Sequence, residues 1–193
     1  MLIQGFFAER KVDLAGLEGF LDGLPPKARA LEVRSLTSKE QALLFDASAG
    51  RRRVTLDDFV SPVVPPLQQV IHYGRNSLPA FSLFEKRFCR PQGERGRREL
   101  WGYNEQTWKT LTGPGYFVAR QEKDREVLID YCEVPPAKPD EWPPILPNSA
   151  RLSRFIYYRT KDLMRGVSRH VTIGRASRDG KPMDNWFVLC RED

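Results

Sequence analysis

The stretch Glu99-Leu-Trp-Gly-Tyr-Asn-Glu-Gln-Thr-Trp108, the turn Gly113-Pro-Gly115 and the runs at residues 116–121 and 126–134 decide the fold class. These three runs are rich in aromatic and β-branched residues and are separated by turn-forming or charged residues, a pattern typical of consecutive antiparallel strands. Polar side chains recur inside the runs, which is unusual for strands that only fill a core. We therefore predict an antiparallel meander that carries polar groups.

Further strand candidates lie on both sides of this meander. At the C-terminus two strand-like runs flank Asp179-Gly180, and Asp-Gly in this position is a strong hairpin signal. Together with the meander, about eight strands predict a strongly curved antiparallel sheet or a closed barrel. The candidates outside the meander are residues 67–73, 81–89, 152–158, 170–177 and 184–191.

Residues 1–61 have a mainly helical pattern. Asp13 is placed to cap a helix whose leucines fall on one face, and Thr37 begins overlapping capping boxes before a second apolar run. The prolines of residues 62–66 form a stiff boundary between this part and the β part. We therefore expect an α+β chain in which an N-terminal helical segment precedes the curved sheet or barrel of residues 67–193. Within the β part, residues 162–169 are predicted to form a short helix.

The proline-dense connection at residues 135–147 is predicted to be rigid and extended, since so many prolines exclude a regular ladder. Long connections of this kind serve as lids or as covers for apolar surface. In the second case Trp142 and Ile145 would cover an open part of the core. The sequence leaves both interpretations open.

Length and composition limit the class of protein. A chain of 193 residues can bury one sizeable core, so we expect a single domain spanning residues 1–193. No apolar run is long enough to cross a bilayer, and the first residues lack the basic region of a signal peptide. Three scattered cysteines fit neither a disulfide framework nor a zinc knuckle. We therefore expect a reduced, cytoplasmic protein.

The net charge of +6 is placed unevenly along the chain. Residues 151–181 contain nine Lys or Arg and two acidic residues. Such a segment can bind nucleic acid or an acidic partner, or it can simply form a solvated face. No recognisable nucleic-acid motif interleaves these residues, so we rank the solvated face first.

The sequence contains no phosphate-binding Gly-Lys-Ser/Thr loop, no dinucleotide fingerprint and no nucleophile elbow. Because the chain has only two histidines, a histidine-rich metal site is impossible. A mixed site with Asp, Glu or Cys stays open, although none of these residues has ligand spacing, and the sequence leaves the cofactor unknown. An enzyme of the isomerase, cyclase or hydrolase type could use His170, Asp130 or Tyr103 for acid–base chemistry. A hydrogen-bonded structural role is the competing interpretation of His170. For Asp130, an ion pair with a nearby arginine is the first expectation.

The aromatic content of the predicted sheet suggests a pocket for one apolar or amphipathic small molecule with an anionic group. Gly102, Gly115 and Gly174 would make room within or beside the strands, and an arginine at the mouth would pair with a carboxylate or phosphate. The competing interpretation is a fully packed core without a cavity. The ligand-binding residues predicted on this basis are Arg87, Trp101, Tyr103, Trp108, Asp130, His170 and Arg175.

Overall fold

The computed structural model describes residues 2–78, 82–105, 113–122, 125–148 and 156–192. In this part of the chain eight antiparallel strands form a closed barrel, which confirms the predicted α+β fold class. Each barrel strand pairs with the next strand along the chain, and the last pairs with the first. A separate short hairpin near the N-terminus consists of β1 (Phe7–Ala8) and β2 (Lys11–Val12). The barrel strands are β3 (Val70–Asn76), β4 (Leu83–Cys89), β5 (Glu99–Glu105), β6 (Tyr116–Glu122), β7 (Glu126–Asp130), β8 (Thr160–Gly166), β9 (Val171–Arg178) and β10 (Lys181–Arg191).

Two of the helices begin where the sequence places their caps. The Asp13 side chain accepts a hydrogen bond of 3.0 Å from the amide of Gly16, and Thr37 forms a reciprocal capping box with Glu40. No helix among the described residues has the length and apolar character that spanning a membrane requires. The α-helices are α1 (Leu14–Gly23), α2 (Pro26–Arg34), α3 (Ser38–Ala47) and α4 (Leu56–Phe59).

The helices cover the barrel in two ways. The first three contribute to an apolar cluster on its outer surface, where Leu17 and Val33 pack with Ile173 of β9 and Val188 of β10. The short helix α4 instead closes one end of the barrel. Its Phe59 is fully buried in the interior core. The barrel interior is therefore packed at the α4 end.

The helix predicted for residues 162–169 is wrong, because Thr160–Gly166 forms β8 between β7 and β9. The burial of β8 alternates strictly, but its inward positions hold Thr160, Asp162 and Met164 rather than a uniform apolar set. The usual alternation of apolar and polar residues is therefore missing from the sequence. Of the strand predicted at residues 152–158, residues 152–155 lie outside the described ones and the remainder forms a turn.

The proline-dense connection crosses the outer face of β5 and β6. The buried ring of Trp142 packs edge-on to Tyr103, with the centroids 4.9 Å apart, and its Nε1 donates a hydrogen bond of 3.1 Å to Gln69. Ile145 packs against the same cluster. This outer aromatic surface is therefore covered, and β5 is buried on both of its faces.

Candidate functional site

A cavity of about 280 Å³ lies inside the barrel at the end opposite α4. It lies at the ends of strands β3 and β5 and at the start of β8, beyond the packed half of the core. Exposed Leu78 and Ile156 lie at its edge and give the mouth an apolar rim. The aromatic lining residues are Phe84, Tyr131, Tyr157 and Phe187, and the polar ones include Lys86, Asn104, Asp162 and Asn185.

Lys86 is the centre of the polar part of this lining. Its Nζ donates hydrogen bonds to Asn104 Oδ1 at 3.0 Å, to Asp162 Oδ2 at 3.2 Å and to the hydroxyl of Tyr131. An ammonium group has three N–H donors, so these three acceptors satisfy it completely. Asn104 Nδ2 also donates to the Tyr131 hydroxyl at 2.9 Å. The four side chains, from β4, β5, the residue after β7 and β8, therefore form one connected network inside the barrel.

The Lys86–Asp162 ion pair is almost completely removed from water. The two side chains are only 3% and 6% exposed. Burial lowers the pKa of Lys86 and raises the pKa of Asp162, while their mutual attraction opposes both shifts. Burial likewise raises the pKa of Tyr131 well above its ordinary value, so this residue remains a phenol. The proton shared by the pair is consequently held less firmly on nitrogen than in an exposed lysine.

Aromatic rings surround the Lys86 ammonium, with Nζ between 4.8 and 5.7 Å from four ring centroids. Three of these rings lie opposite a glycine on the neighbouring strand. A Cβ atom added at any of these glycines would lie less than 3.0 Å from the facing ring. The room that the sequence indicated at glycines is thus occupied by aromatic side chains, an arrangement that also strengthens sheets. The glycine–ring pairs are Gly74 with Phe84, Gly102 with Phe117, and Gly174 with Phe187. We call these three rings the Phe collar.

The described candidates from the sequence lie elsewhere, and none of them lines the cavity. The register of the strands directs five of them to the outer face of the barrel, while His170 lies in the β8–β9 connection at the α4 end. Trp108 lies outside the described residues. A ligand-binding role for these residues stays a prediction. The five on the outer face are Arg87, Trp101, Tyr103, Asp130 and Arg175.

These outer residues have their own partners on the surface. The predicted arginine partner of Asp130 is wrong, because its carboxylate pairs with Lys161 at 2.7 Å. Arg175 pairs with Asp184 at 3.2 Å. His170 Nδ1 accepts a hydrogen bond of 3.2 Å from Arg191. Because His170 and Asp130 lie at opposite ends of the barrel, they do not share a site.

The sequence contained a signal for Lys86 that aromatic content alone does not reveal. Phe84, Lys86 and Phe88 alternate along β4, so a lysine occupies a position in phase with two inward-pointing phenylalanines. On β5, the side chain of Asn104 points to the same side of the strand as that of Leu100. A charged residue in the apolar phase of a strand predicts a buried polar group that needs a partner. The partner Asp162 was hidden by the incorrect helix prediction.

Several cationic side chains in the described part of the basic segment have acidic partners. Arg159 pairs with Asp179, Arg165 pairs with Glu126 at 2.8 Å, and Lys161 pairs with Asp130. These acidic partners neutralise much of the local charge. Nucleic-acid binding by residues 151–181 stays a prediction.

The described residues contain no cluster of three or more His, Cys, Asp or Glu side chains arranged to hold a metal ion. Comparison of the chain with models of known families, with curated proteins and with solved structures gives no match. The fold and the site therefore define the class on their own. This is an eight-stranded antiparallel barrel with aromatic clusters inside it, an architecture compatible with ligand binding.

Proposed function

We propose that this protein binds one compact amphipathic molecule in the barrel cavity, with the apolar body of the ligand between the rings and its oxygen-bearing head group at Lys86. The observation that carries this proposal is a cavity whose apolar mouth leads to a buried polar network. Its volume of about 280 Å³ lies just below the roughly 300–1,000 Å³ found for small-molecule pockets. It equals the liquid volume of about nine water molecules, which favours a small aromatic or short aliphatic ligand.

The polar network supports a carboxylic acid as the head group. All three Lys86 donors already have protein acceptors, so a ligand carboxylate must share them with Asp162. Two carboxylates beside one ammonium would repel each other unless one takes up a proton. Because burial raises the pKa of Asp162, that residue is the natural proton acceptor. Binding of a carboxylate should therefore take up a proton and strengthen as the pH falls.

The test is calorimetric titration with hexanoate, octanoate and benzoate, and with benzyl alcohol as an uncharged counterpart. We expect saturable binding with one site, and for the carboxylates proton uptake that is visible when buffers of different ionisation enthalpy are compared. The variant Ala176→Phe places a ring at a buried position of the cavity lining and should abolish binding. Ala137→Phe makes the same change at an exposed position and should leave binding unchanged.

Circular dichroism of each variant establishes that it is folded before binding is compared. Absence of saturable binding for all four compounds would refute the proposal. So would binding that Ala176→Phe and Ala137→Phe affect equally.

The reduced thiols fit the cytoplasmic location expected from the sequence, which stays a prediction.

A further inference from the structure

Lys86 has surroundings that differ from those of an ordinary surface lysine. Its side chain is 3% exposed and borders the cavity, whereas that of neighbouring Lys161 is 44% exposed and points to the outer face. The Phe collar covers much of the space around the Lys86 nitrogen, and the cavity provides the approach for a ligand. A buried amine of this type is a stronger candidate nucleophile than a hydrated ammonium.

A proton acceptor for the Lys86 ammonium is already in place. Asp162 Oδ2 accepts a hydrogen bond from Nζ at 3.2 Å, and the carboxylate is itself buried. Transfer of one proton along this bond converts the ammonium–carboxylate pair into an amine and a carboxylic acid without changing the net charge. Burial favours the uncharged pair. Lys86 can therefore become a neutral amine without exchanging a proton with the solvent.

We propose that Lys86 is a covalent ligand-binding residue that condenses with an aldehyde or ketone in the cavity to form an imine. This inference rests on the proposed binding function, because the carbonyl compound must enter the same cavity. Aromatic and short aliphatic aldehydes fit both the size of the cavity and its ring-lined wall. Asn104 and Tyr131 are positioning residues, since their hydrogen bonds hold Nζ in place.

The reaction is balanced by the groups that are present. The lone pair of the Lys86 amine forms a C–N bond to the carbonyl carbon, the C=O π electrons move to oxygen, and a proton passes from nitrogen to that oxygen. Protonated Asp162 then gives its proton to the hydroxyl group of this intermediate, and water leaves as the C=N bond forms. The product is a protonated imine beside the Asp162 carboxylate. Neither an oxidant nor a reductant is consumed, and the charge of the pair is conserved.

The experiment treats the 193-residue protein with benzaldehyde at pH 7 and reduces any imine with cyanoborohydride to a stable benzyl amine. Intact mass spectrometry counts the benzyl groups, and peptide mapping locates them. An ordinary lysine is neutral in only about one molecule in 2,500 at this pH. Proximity to Asp130 raises the pKa of Lys161 further, so it provides an internal reference of low reactivity. We expect labelling of Lys86 to exceed that of Lys161, because burial and the adjacent Asp162 carboxylate favour the neutral amine at Lys86, whereas Lys161 is an exposed ammonium paired with Asp130.

Two controls separate this inference from the binding proposal. Lys86→Met should lose the label, whereas Lys181→Met removes an exposed lysine and should retain it. Calorimetry with benzyl alcohol, which cannot form an imine, reports binding without covalent chemistry. If benzyl alcohol binds but Lys86 carries no more label than Lys161, the imine is refuted and the binding function stands. If neither occurs, both proposals fail.

Discussion

Replacing the buried Lys86–Asp162 pair one residue at a time should have a large effect, whereas replacing both together should have a small one. At a separation of 3.2 Å and an effective dielectric constant of about 20, the attraction between the two charges is about 5 kcal/mol. The desolvation of each ion costs several kcal/mol, so the complete pair contributes little net stability. Lys86→Met or Asp162→Leu removes the attraction but leaves the other ion buried, at an expected cost of about 3–5 kcal/mol.

In the double variant no uncompensated charge remains. Asn104 and Tyr131 still bond each other, so we expect a free energy of unfolding within about 1–2 kcal/mol of the original protein. The coupling energy between the two sites should then be at least about 4 kcal/mol. Urea unfolding followed by tryptophan fluorescence and circular dichroism gives all four free energies. A coupling energy below about 1 kcal/mol would refute the conclusion that these groups form a buried ion pair.

The single variants should also respond to pH in opposite directions. In Lys86→Met the pKa of Asp162 loses its opposing partner and rises further, so the folded state binds more protons than the unfolded state above the unfolded pKa of about 3.9. The free energy of unfolding therefore falls as the pH rises from about 4 through the folded pKa. In Asp162→Leu the lowered pKa of Lys86 means that the folded state binds fewer protons, so stability rises with pH up to about 10.4. Slopes of the same sign would contradict the assignment.

Three further predictions concern the scaffold. Gly102→Ala should lower the free energy of unfolding by about 1–3 kcal/mol, because the new methyl group meets the Phe117 ring and a backbone oxygen; an unchanged urea midpoint would contradict this. Phe59→Ala should cost about 3–5 kcal/mol by opening the core at the α4 end, as measured in the same assay, and a loss below about 1 kcal/mol would show that α4 is not a structural closure. Ellman's reagent should modify exposed Cys132 in the folded protein, whereas Cys89, whose pKa burial raises to about 12, should react only after unfolding. Rapid modification of Cys89 without denaturant would show that its site is open to solvent.

The parts of the fold governed by local rules could be predicted from the sequence. The Asp13 cap, the Thr37 capping box and the Asp-Gly hairpin between β9 and β10 each depend on residues within a few positions of one another. Closure of the sheet by pairing of β10 with β3 could be inferred only from the number of strands. The structure supports the inference, since both edges of the sheet are used.

The sequence does not reveal which β5 side chains face into the barrel. For this reason the β5 residues predicted to bind a ligand lie on its outer face. Trp101 and Tyr103 are aromatic, but they face outwards because the proline-dense connection covers the outer surface and makes it apolar as well. A strand buried on both faces has no polar phase from which its orientation can be read. The inward phase contains Asn104, whose partners come from β4 and from the residue after β7, far apart in sequence.

The Phe collar has a consequence for how the barrel folds. Each ring fills a space that exists only when its strand lies in the correct register against the glycine of the neighbouring strand. A slip of one residue in β4, β6 or β10 would turn the ring of that strand to the outer face and leave the space over the facing glycine empty, and a slip of β4 would turn Lys86 outwards as well. The native strand alignment is thus distinguished from its nearest alternatives by the same contacts that surround the amine. Correct pairing of the strands and formation of the cavity lining therefore depend on the same contacts.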